Sequence, residues 1–513
     1  MQVVIRVDAS QRIGTGHLVR CKTLAEVLRQ RGASVRFICR EHQGHLIDWL
    51  LKADFQVTGL PIQSPPSLVN DLSEDYQAWL GVTPEQDSQE TIQAIGNNHP
   101  DWLIIDHYGI DQQWETQLRP HVQKILVIDD LANRCHDCDV LLDQNNHLGE
   151  IEAYLGLVPK SCHLLLGPRY ALLNSIYTKH RHQQPPRQHP ARRLLLFFGG
   201  TDHCGLTSQS LEALSSASLE HLTVDIVIGT SNPLQSKLEQ QAAARPNTIV
   251  HYSRPHLADL MSQADLALGA GGTTTWERCC LGLPALVVSI ANNQIPTCQA
   301  LDKVGAIAYL GTANQVTPNI LKSALIELVN DASRLIKISH IASLQTDGLG
   351  VHRVVEYLTP SASEQLRLRP ATAADISLYY DWVNDSEVRR QSIKTAPVNW
   401  QEHQAWYDQK LSSNICIMRV LEVNELPIGQ IRWDFSDNQA FMSYSLDPIA
   451  RGRGWASLLI KMGINQVRQY PISLLSAKVK PGNPASQAAL KRAGFQEAQN
   501  SQDNEHLLFH LSL

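Results

Sequence analysis

Gly14-Thr15-Gly16-His17 sets a proton-handling side chain on a glycine-rich turn. Ahead of a helix, such a turn presents free backbone N–H groups and the positive end of the helix dipole, where a phosphate or phosphorylated sugar can sit. An imidazole at that mouth can take a proton from water. A second stretch, Gly269-Ala270-Gly271-Gly272-Thr273-Thr274-Thr275-Trp276-Glu277, offers the Gly271 and Gly272 amides to a diphosphate, with Glu277 placed to accept from ribose hydroxyls. A third, Arg451-Gly452-Arg453-Gly454-Trp455-Ala456, supplies consecutive amides and an arginine for a pyrophosphate. Each has a purely structural counterpart: a tight turn with a solvated cap at His17, a helix acid complementing the dipole at Glu277, and an ordinary glycine turn at Gly452.

These residues need elements to hold them. The apolar run Val3–Val7 reads as a buried strand, and Leu18, Cys21, Leu24, Ala25 and Leu28 share one helical face that stops at Gly32. Further strands are expected over 35–39, 101–106 and 124–130, giving a parallel sheet covered on both faces. Ligands of such sheets bind at the carboxyl ends of the strands, so His17, Asp106, His107, Asp129 and Asp130 share one edge, each acid alternatively being an N-cap. Asp8 could serve beside His17 or cap the turn. After a polar, proline-containing segment at 180–190 the alternation restarts, with strands over 194–198, 224–229, 265–268 and 284–288. The Gly271 loop and Asn292-Asn293-Gln294 follow strands on the matching edge. A small polar connector at 359–364 precedes a third region.

The 513 residues suit roughly three domains of ordinary size. With 43% hydrophobic and 18% charged residues the chain is globular, and a net charge of −6 gives no reason to expect nucleic acid or an acidic membrane surface as partner. Cys135 and Cys138 form a C-x-x-C with His136 and His147 nearby, but no second pair stands at zinc-finger spacing, so no metal is expected. Cys279 and Cys280 read as small core residues. No basic-then-apolar leader and no membrane-spanning run is visible, and a cytoplasmic protein with reduced cysteines is expected.

Arg6-Val7-Asp8-Ala9-Ser10, Ile13–His17, Arg20-Cys21 and Leu24-Ala25 resemble the opening of the UDP-sugar hydrolase of pseudaminic acid biosynthesis. Asp129-Asp130, Arg134, Leu141–Asn145, Leu166–Leu173, the Gly271–Glu277 loop and Asn292-Asn293-Gln294 extend the resemblance over roughly residues 1 to 358. It implies a GT-B-like α/β fold of two Rossmann-like lobes, 1–180 and a UDP-binding 191–358. It also implies His17 as the base that activates water against the anomeric carbon of UDP-2,4-diacetamido-2,4,6-trideoxy-β-L-altropyranose, with inversion. The UDP-sugar would lie among Gly14, Gly16, Gly271, Gly272, Thr273, Glu277, Asn292, Asn293 and Gln294. A GT-B glycosyltransferase using a UDP-sugar donor is the main alternative, and a UDP-sugar-binding regulator a third reading.

Residues 366–513 look like a GNAT N-acetyltransferase, an α/β domain. Arg451-x-x-Gly454-x-Ala456 between a strand and a helix carries the likeness, and Asn483 and Ser486 precede Ala493-Gly494-Phe495 at the spacing of the second signature. The resemblance implies acetyl-CoA as cosubstrate, its pyrophosphate on Arg451, Gly452, Arg453, Gly454 and Ala456, its pantetheine arm near Leu446, with Asn483 and Ser486 close by. Many GNATs carry a tyrosine seven residues after the Asn; here that position is Leu490, and Tyr444 and His403 are the other candidates for an acid. Fusion of the two regions implies that the 4-amino group of UDP-4-amino-4,6-dideoxy-N-acetyl-β-L-altrosamine is acetylated first and that the product is then hydrolysed. The oligomeric state is not legible in the sequence.

Overall fold

Runs of Val, Ile and Leu at the head of the chain form seven parallel strands: β1 (Gln2–Val7), β2 (Ser34–Arg40), β3 (Gln56–Leu60), β4 (Trp102–Asp106), β5 (Lys124–Ile128), β6 (Val140–Asp143) and β7 (His163–Leu166). Near-continuous apolar strands suit a sheet buried on both faces. Their order is β3-β2-β1-β4-β5-β6-β7, so the winding reverses between β1 and β4. The crevice beyond the carboxyl ends of those two strands is where ligands of such sheets bind. In this computed structural model the described residues are 1–62, 76–145, 153–183, 191–229, 232–252, 254–359, 366–392, 394–498 and 506–513. Most of the polar segment at 180–190, all of the connector beyond Thr359, and His147 lie outside them.

A second parallel sheet repeats the design with β8 (Arg193–Phe197), β9 (Thr223–Ile228), β10 (Thr248–Tyr252), β11 (Leu266–Ala270), β12 (Ala285–Ser289) and β13 (Ala308–Thr312), in the order β10-β9-β8-β11-β12-β13. Its reversal falls between β8 and β11, which places the Gly271 loop at its crevice. Gly269 is required by packing: a Cβ there would meet the Phe197 carbonyl oxygen at 2.3 Å. The helix Gly350–Leu358 follows the second sheet in sequence but buries Val351, Val354, Val355 and Leu358 in the core of the first, beside Val3, Ile5, Leu24 and Leu28. The Trp102 indole donates to the Leu358 carbonyl at 3.3 Å.

Met1–Thr359 and Pro360–Leu513 are two compact units. The second is built on β14 (Leu366–Pro370), β15 (Cys416–Val423), β16 (Leu426–Ser436), β17 (Gln439–Leu446), β18 (Leu474–Val479), β19 (Gln496–Glu497) and β20 (Leu507–Ser512), in the order β14-β15-β16-β17-β18-β20-β19. Asn424 and Glu425, both at positive φ (49° and 69°), make the two-residue turn between β15 and β16. β17 and β18 are parallel and pair only from Gln439↔Leu474 to Met442↔Ala477. Both strands run on past that point, so they part there. The α/β class and its three sheets agree with the fold expected from the sequence.

Candidate active sites

His17 is the second residue of the helix Gly16–Gln30, which no side chain caps. Gly14, at φ 81°, makes the turn that brings the chain from β1 to this helix. The His17 Nδ1 lies 2.6 Å from Asp106 Oδ1, at the carboxyl end of β4. Strand reversal therefore brings together two residues 89 positions apart. Arg20, one helical turn on, forks Asp106 with Nε to Oδ2 and Nη2 to Oδ1, both at 2.7 Å. Burial alone would raise the Asp106 carboxyl, but Arg20 and His17 hold it well below the usual carboxylate range. An ionised carboxylate only accepts, so Nδ1 carries a proton, and in the neutral imidazole Nε2 is then the acceptor that faces water. The Tyr108 ring stands edge-on to His17 at 4.6 Å and meets Tyr76 and Trp79 on its other sides. Burial and Asp130 push the Tyr108 phenol well above its ordinary value, so it stays protonated and donates to Asp130 Oδ1 at 2.5 Å.

The other acids expected on this edge part company. Asp8 is not the partner of His17. It accepts from Arg6 at 2.5 Å and from the Arg40 amide at 2.7 Å, and His107 lies 3.4 Å away. Burial pushes His107 down to about 4, so it is neutral near pH 7. Asp129 pairs with Arg134 at 2.7 Å and caps the amides of Leu131 and Ala132, which is a turn-building role. Asp130 joins the site through Arg20 Nη1 at 3.3 Å.

Across the crevice, Thr273 precedes the helix Thr274–Cys280 without a side-chain cap. A Cβ on Gly16 would stand 3.1 Å from Thr273 Oγ1, so the two glycine turns face each other. The expected role of the Gly271 amide needs correction: that N–H is donated to the Val288 carbonyl at 3.2 Å, because Gly271 still continues the sheet. Its missing side chain has a packing reason too, since a Cβ would meet Cys298 Sγ at 2.3 Å. Amides from Gly272 onward head the helix. Glu277 keeps a partly exposed face yet is hemmed in by protein, and burial pushes its carboxyl up to about 7, with the Tyr177 phenol as partner. Gln294 accepts from the Ile290 amide at 3.0 Å and lies against Gly272. Asn293 reaches the other lobe, donating from Nδ2 to the Tyr108 hydroxyl at 3.1 Å. Asn292 begins the same short turn. Sequence reasoning passed over Tyr108 and Trp276 as site residues. The Trp276 indole donates to Asn145 Oδ1 at 3.0 Å across 131 residues, a contact no local signal reveals.

In the second unit, Gly452 and Gly454 take φ of 77° and 79° with open space where a Cβ would be, and Gly454 starts the uncapped helix Trp455–Val467. The loop thus presents its amides, with Ala456 in the first turn. Arg451 does not point its fork at a ligand: its Nη2 binds Asp385 at 2.6 Å and the Leu446 carbonyl at 3.1 Å, which ties the loop to β17. The Arg453 guanidinium lies 4.9 Å from the Trp455 ring. Asn483 caps the helix Pro484–Arg492, accepting from the Ser486 amide at 3.0 Å. Ser486 Oγ and the Tyr444 hydroxyl are 2.6 Å apart, across the opening between β17 and β18. Burial raises the Tyr444 phenol above its ordinary value. His403 is a core residue instead, 2% exposed, its Nε2 on the Ile376 carbonyl at 2.8 Å, and Leu490 is fully buried. Among the described residues no group of three or more His, Cys, Asp or Glu is placed to hold a metal ion. Cys138 Sγ lies 3.5 Å from Cys162 Sγ, while Cys135 is exposed.

A double-lobed α/β unit with a His–Asp pair at its crevice, followed by a second α/β unit whose glycine turn heads a helix, is the class these features define. Residues 365–496 match the acetyltransferase (GNAT) domain, and residues 194–354 match the glycosyltransferase family 28 C-terminal domain. The chain is 27% identical over 306 residues to the UDP-2,4-diacetamido-2,4,6-trideoxy-beta-L-altropyranose hydrolase of Campylobacter jejuni, covering 60% of this chain and 97% of that protein. It is 24% identical to the spore coat polysaccharide biosynthesis protein SpsG of Bacillus subtilis, over 70% of this chain and 98% of that one. An uncharacterized Methanocaldococcus jannaschii protein, MJ1062, aligns at 22% identity over 98% of this chain and 99% of its own length. These likenesses fit the fused architecture, and the GNAT match supports acetyl-CoA as the cosubstrate of that domain. No helix among the described residues is long and apolar enough to cross a membrane.

Proposed function

We propose that the chain is a bifunctional sugar-nucleotide enzyme of pseudaminic acid biosynthesis. Its GNAT domain acetylates the 4-amino group of UDP-4-amino-4,6-dideoxy-N-acetyl-β-L-altrosamine. The first unit then hydrolyses the resulting UDP-2,4-diacetamido-2,4,6-trideoxy-β-L-altropyranose. The observation that carries the hydrolytic half is His17 held on the ionised Asp106, facing the Gly272–Glu277 loop across the crevice. With Nδ1–H given to Asp106, His17 Nε2 takes a proton from water as the oxygen attacks C1 from the face opposite UDP. The C1–O bond to the diphosphate breaks, and the sugar is released with inversion. UDP is a good leaving group, so amides at the head of the Thr274–Cys280 helix suffice to receive its charge. Glu277 accepts from the ribose hydroxyls.

In the acetyl transfer, the sugar amine attacks the thioester carbonyl and coenzyme A leaves as a thiolate. The Gly452–Gly454 turn holds the pyrophosphate by its amides, and Arg451 acts indirectly by fixing that turn. The test is UDP release from the UDP-4-amino sugar with and without acetyl-CoA, in wild type and His17→Ala. UDP appearing only with acetyl-CoA, and the acetylated UDP-sugar accumulating in the variant, is the expected result. Equal release without acetyl-CoA defeats the sequential order. Release that waits on an added sugar or lipid acceptor means a glycosyltransferase, the reading that the family 28 match would then favour.

A further inference from the structure

Two hydrogen bonds that cross the crevice near His17 are relayed to one carboxylate. Trp276, in the helix that carries Glu277, donates its indole N–H to Asn145 Oδ1 at 3.0 Å, and Asn145 Nδ2 donates to Asp130 Oδ2 at 3.0 Å. Asn293 donates to the Tyr108 hydroxyl at 3.1 Å, and Tyr108 donates to Asp130 Oδ1 at 2.5 Å. Asn145 is itself fixed, its amide on Asp143 Oδ1 at 2.8 Å. Asp130 is 7% exposed and shares one cation with Asp106: Arg20 stands at 2.7 Å from both Asp106 oxygens and at 3.3 Å from Asp130.

We propose that Asn145 is a positioning residue that, with Trp276 and Asp130, couples the nucleotide loop to the His17–Asp106 pair, so that the base is competent only when the second lobe is docked. This rests on the nucleotide reading of the Gly272–Glu277 loop. A buried carboxylate must have its oxygens satisfied. With Asn145 and Tyr108 both donating, Asp130 makes a weak claim on Arg20, and the guanidinium stays on Asp106. Without the donation from Asn145, Asp130 draws Arg20 toward itself. Asp106 then keeps only His17 and the weak Cys21 thiol donor, and a carboxylate with less competition favours the imidazolium, which has no lone pair for water. The charged and titratable groups around His17 are Asp106, Arg20, Tyr108 and His107.

The experiment compares wild type, Asn145→Ala, Trp276→Phe (which keeps the ring packing and removes the N–H) and the double variant. The readouts are kcat and its pH profile for UDP release, and UDP affinity by calorimetry. The expected result is a kcat about tenfold lower in each single variant and no lower in the double, as for residues in one hydrogen-bonded chain. The acid limb of the profile moves to higher pH, and UDP affinity changes by less than about threefold. Multiplying effects, or an acid limb that stays put, overturn the proposal. NMR of the His17 ring, assigned with His17→Gln, gives a readout that needs no turnover. UDP should shift that resonance in wild type and not in Asn145→Ala. UDP bound with no shift in wild type overturns the coupling alone, whereas failure of wild type to bind UDP overturns the nucleotide reading beneath it.

Discussion

His17 depends on Asp106 for its tautomer, and Asp106 depends on Arg20 for remaining ionised where burial would otherwise protonate it. Asp106→Asn keeps the shape but ends the carboxylate's hold on the ring. It is expected to lower the rate of UDP release about 10²-fold or more while acetyl transfer, measured by thiol release from acetyl-CoA, continues. Glu277 carries a different consequence. Its carboxyl is pushed up to about 7 in the folded protein, above the value in an unfolded chain. The folded state therefore holds the extra proton between those values, and the stability it contributes is complete below about pH 4.5 and lost as pH rises through 7. The stability of Glu277→Gln relative to wild type should therefore rise between pH 5 and pH 8, by on the order of 1 kcal/mol. The same variant loses a charged acceptor for ribose hydroxyls, so its UDP affinity should fall roughly tenfold. A stability gain at pH 8 with unchanged UDP affinity would separate the two roles.

At the scale of elements, the helices Gly16–Gln30, Thr274–Cys280 and Trp455–Val467, which follow the turns read as anion sites, begin without side-chain caps. Other helices, such as Gln235–Ala244 and Gly350–Leu358, also start uncapped while Asp111 and Asn483 cap theirs, so a free first turn suits an anion without marking its site. The Gly452–Gly454 turn is held to β17 by Arg451. Arg451→Lys keeps the charge but cannot make the same fork. It is expected to raise the KM for acetyl-CoA several-fold with kcat little changed. Tyr444 meets Ser486 where β17 and β18 part, and its phenol keeps its proton at neutral pH. Tyr444→Phe should lower acetyl-transfer kcat about tenfold at unchanged acetyl-CoA affinity if that proton is given to the leaving thiolate. An unchanged rate would make Tyr444 a packing residue.

At the scale of the molecule, the first unit is closed by its own last helix. Leu358 is 3% exposed and sits in the core of the first sheet, although it follows every strand of the second. Leu358→Ala is therefore expected to cost about 2–5 kcal/mol, read as a lower melting temperature of the unit that holds His17. The two lobes thus depend on each other for stability as well as for assembling the crevice, since Asn293 and Trp276 contribute to a site whose base lies on the first.

The sequence by itself determined the long-range plan. Near-continuous Val, Ile and Leu runs can only be buried on both faces, so β1, β2, β4, β5, β8, β9, β11 and β12 were legible, as were the glycine turns that need positive φ at Gly14, Gly452 and Gly454. The edge strands β3, β7, β10 and β13 were not, because a half-exposed edge carries no strong apolar signal, and β6 is only four residues long. Sequence also named His17, Asp106 and Asp130 as residues of one edge, yet it left open which acid would meet the imidazole. Tertiary structure chose Asp106 over Asp8, because the winding reverses between β1 and β4 while Arg6 and Arg40 already occupy Asp8. It likewise turned the Gly271 amide back into its sheet, gave Arg451 to Asp385, and joined Asn145 to Trp276. Such pairings depend on distances between residues far apart in the chain, and spacing along a sequence does not encode those distances.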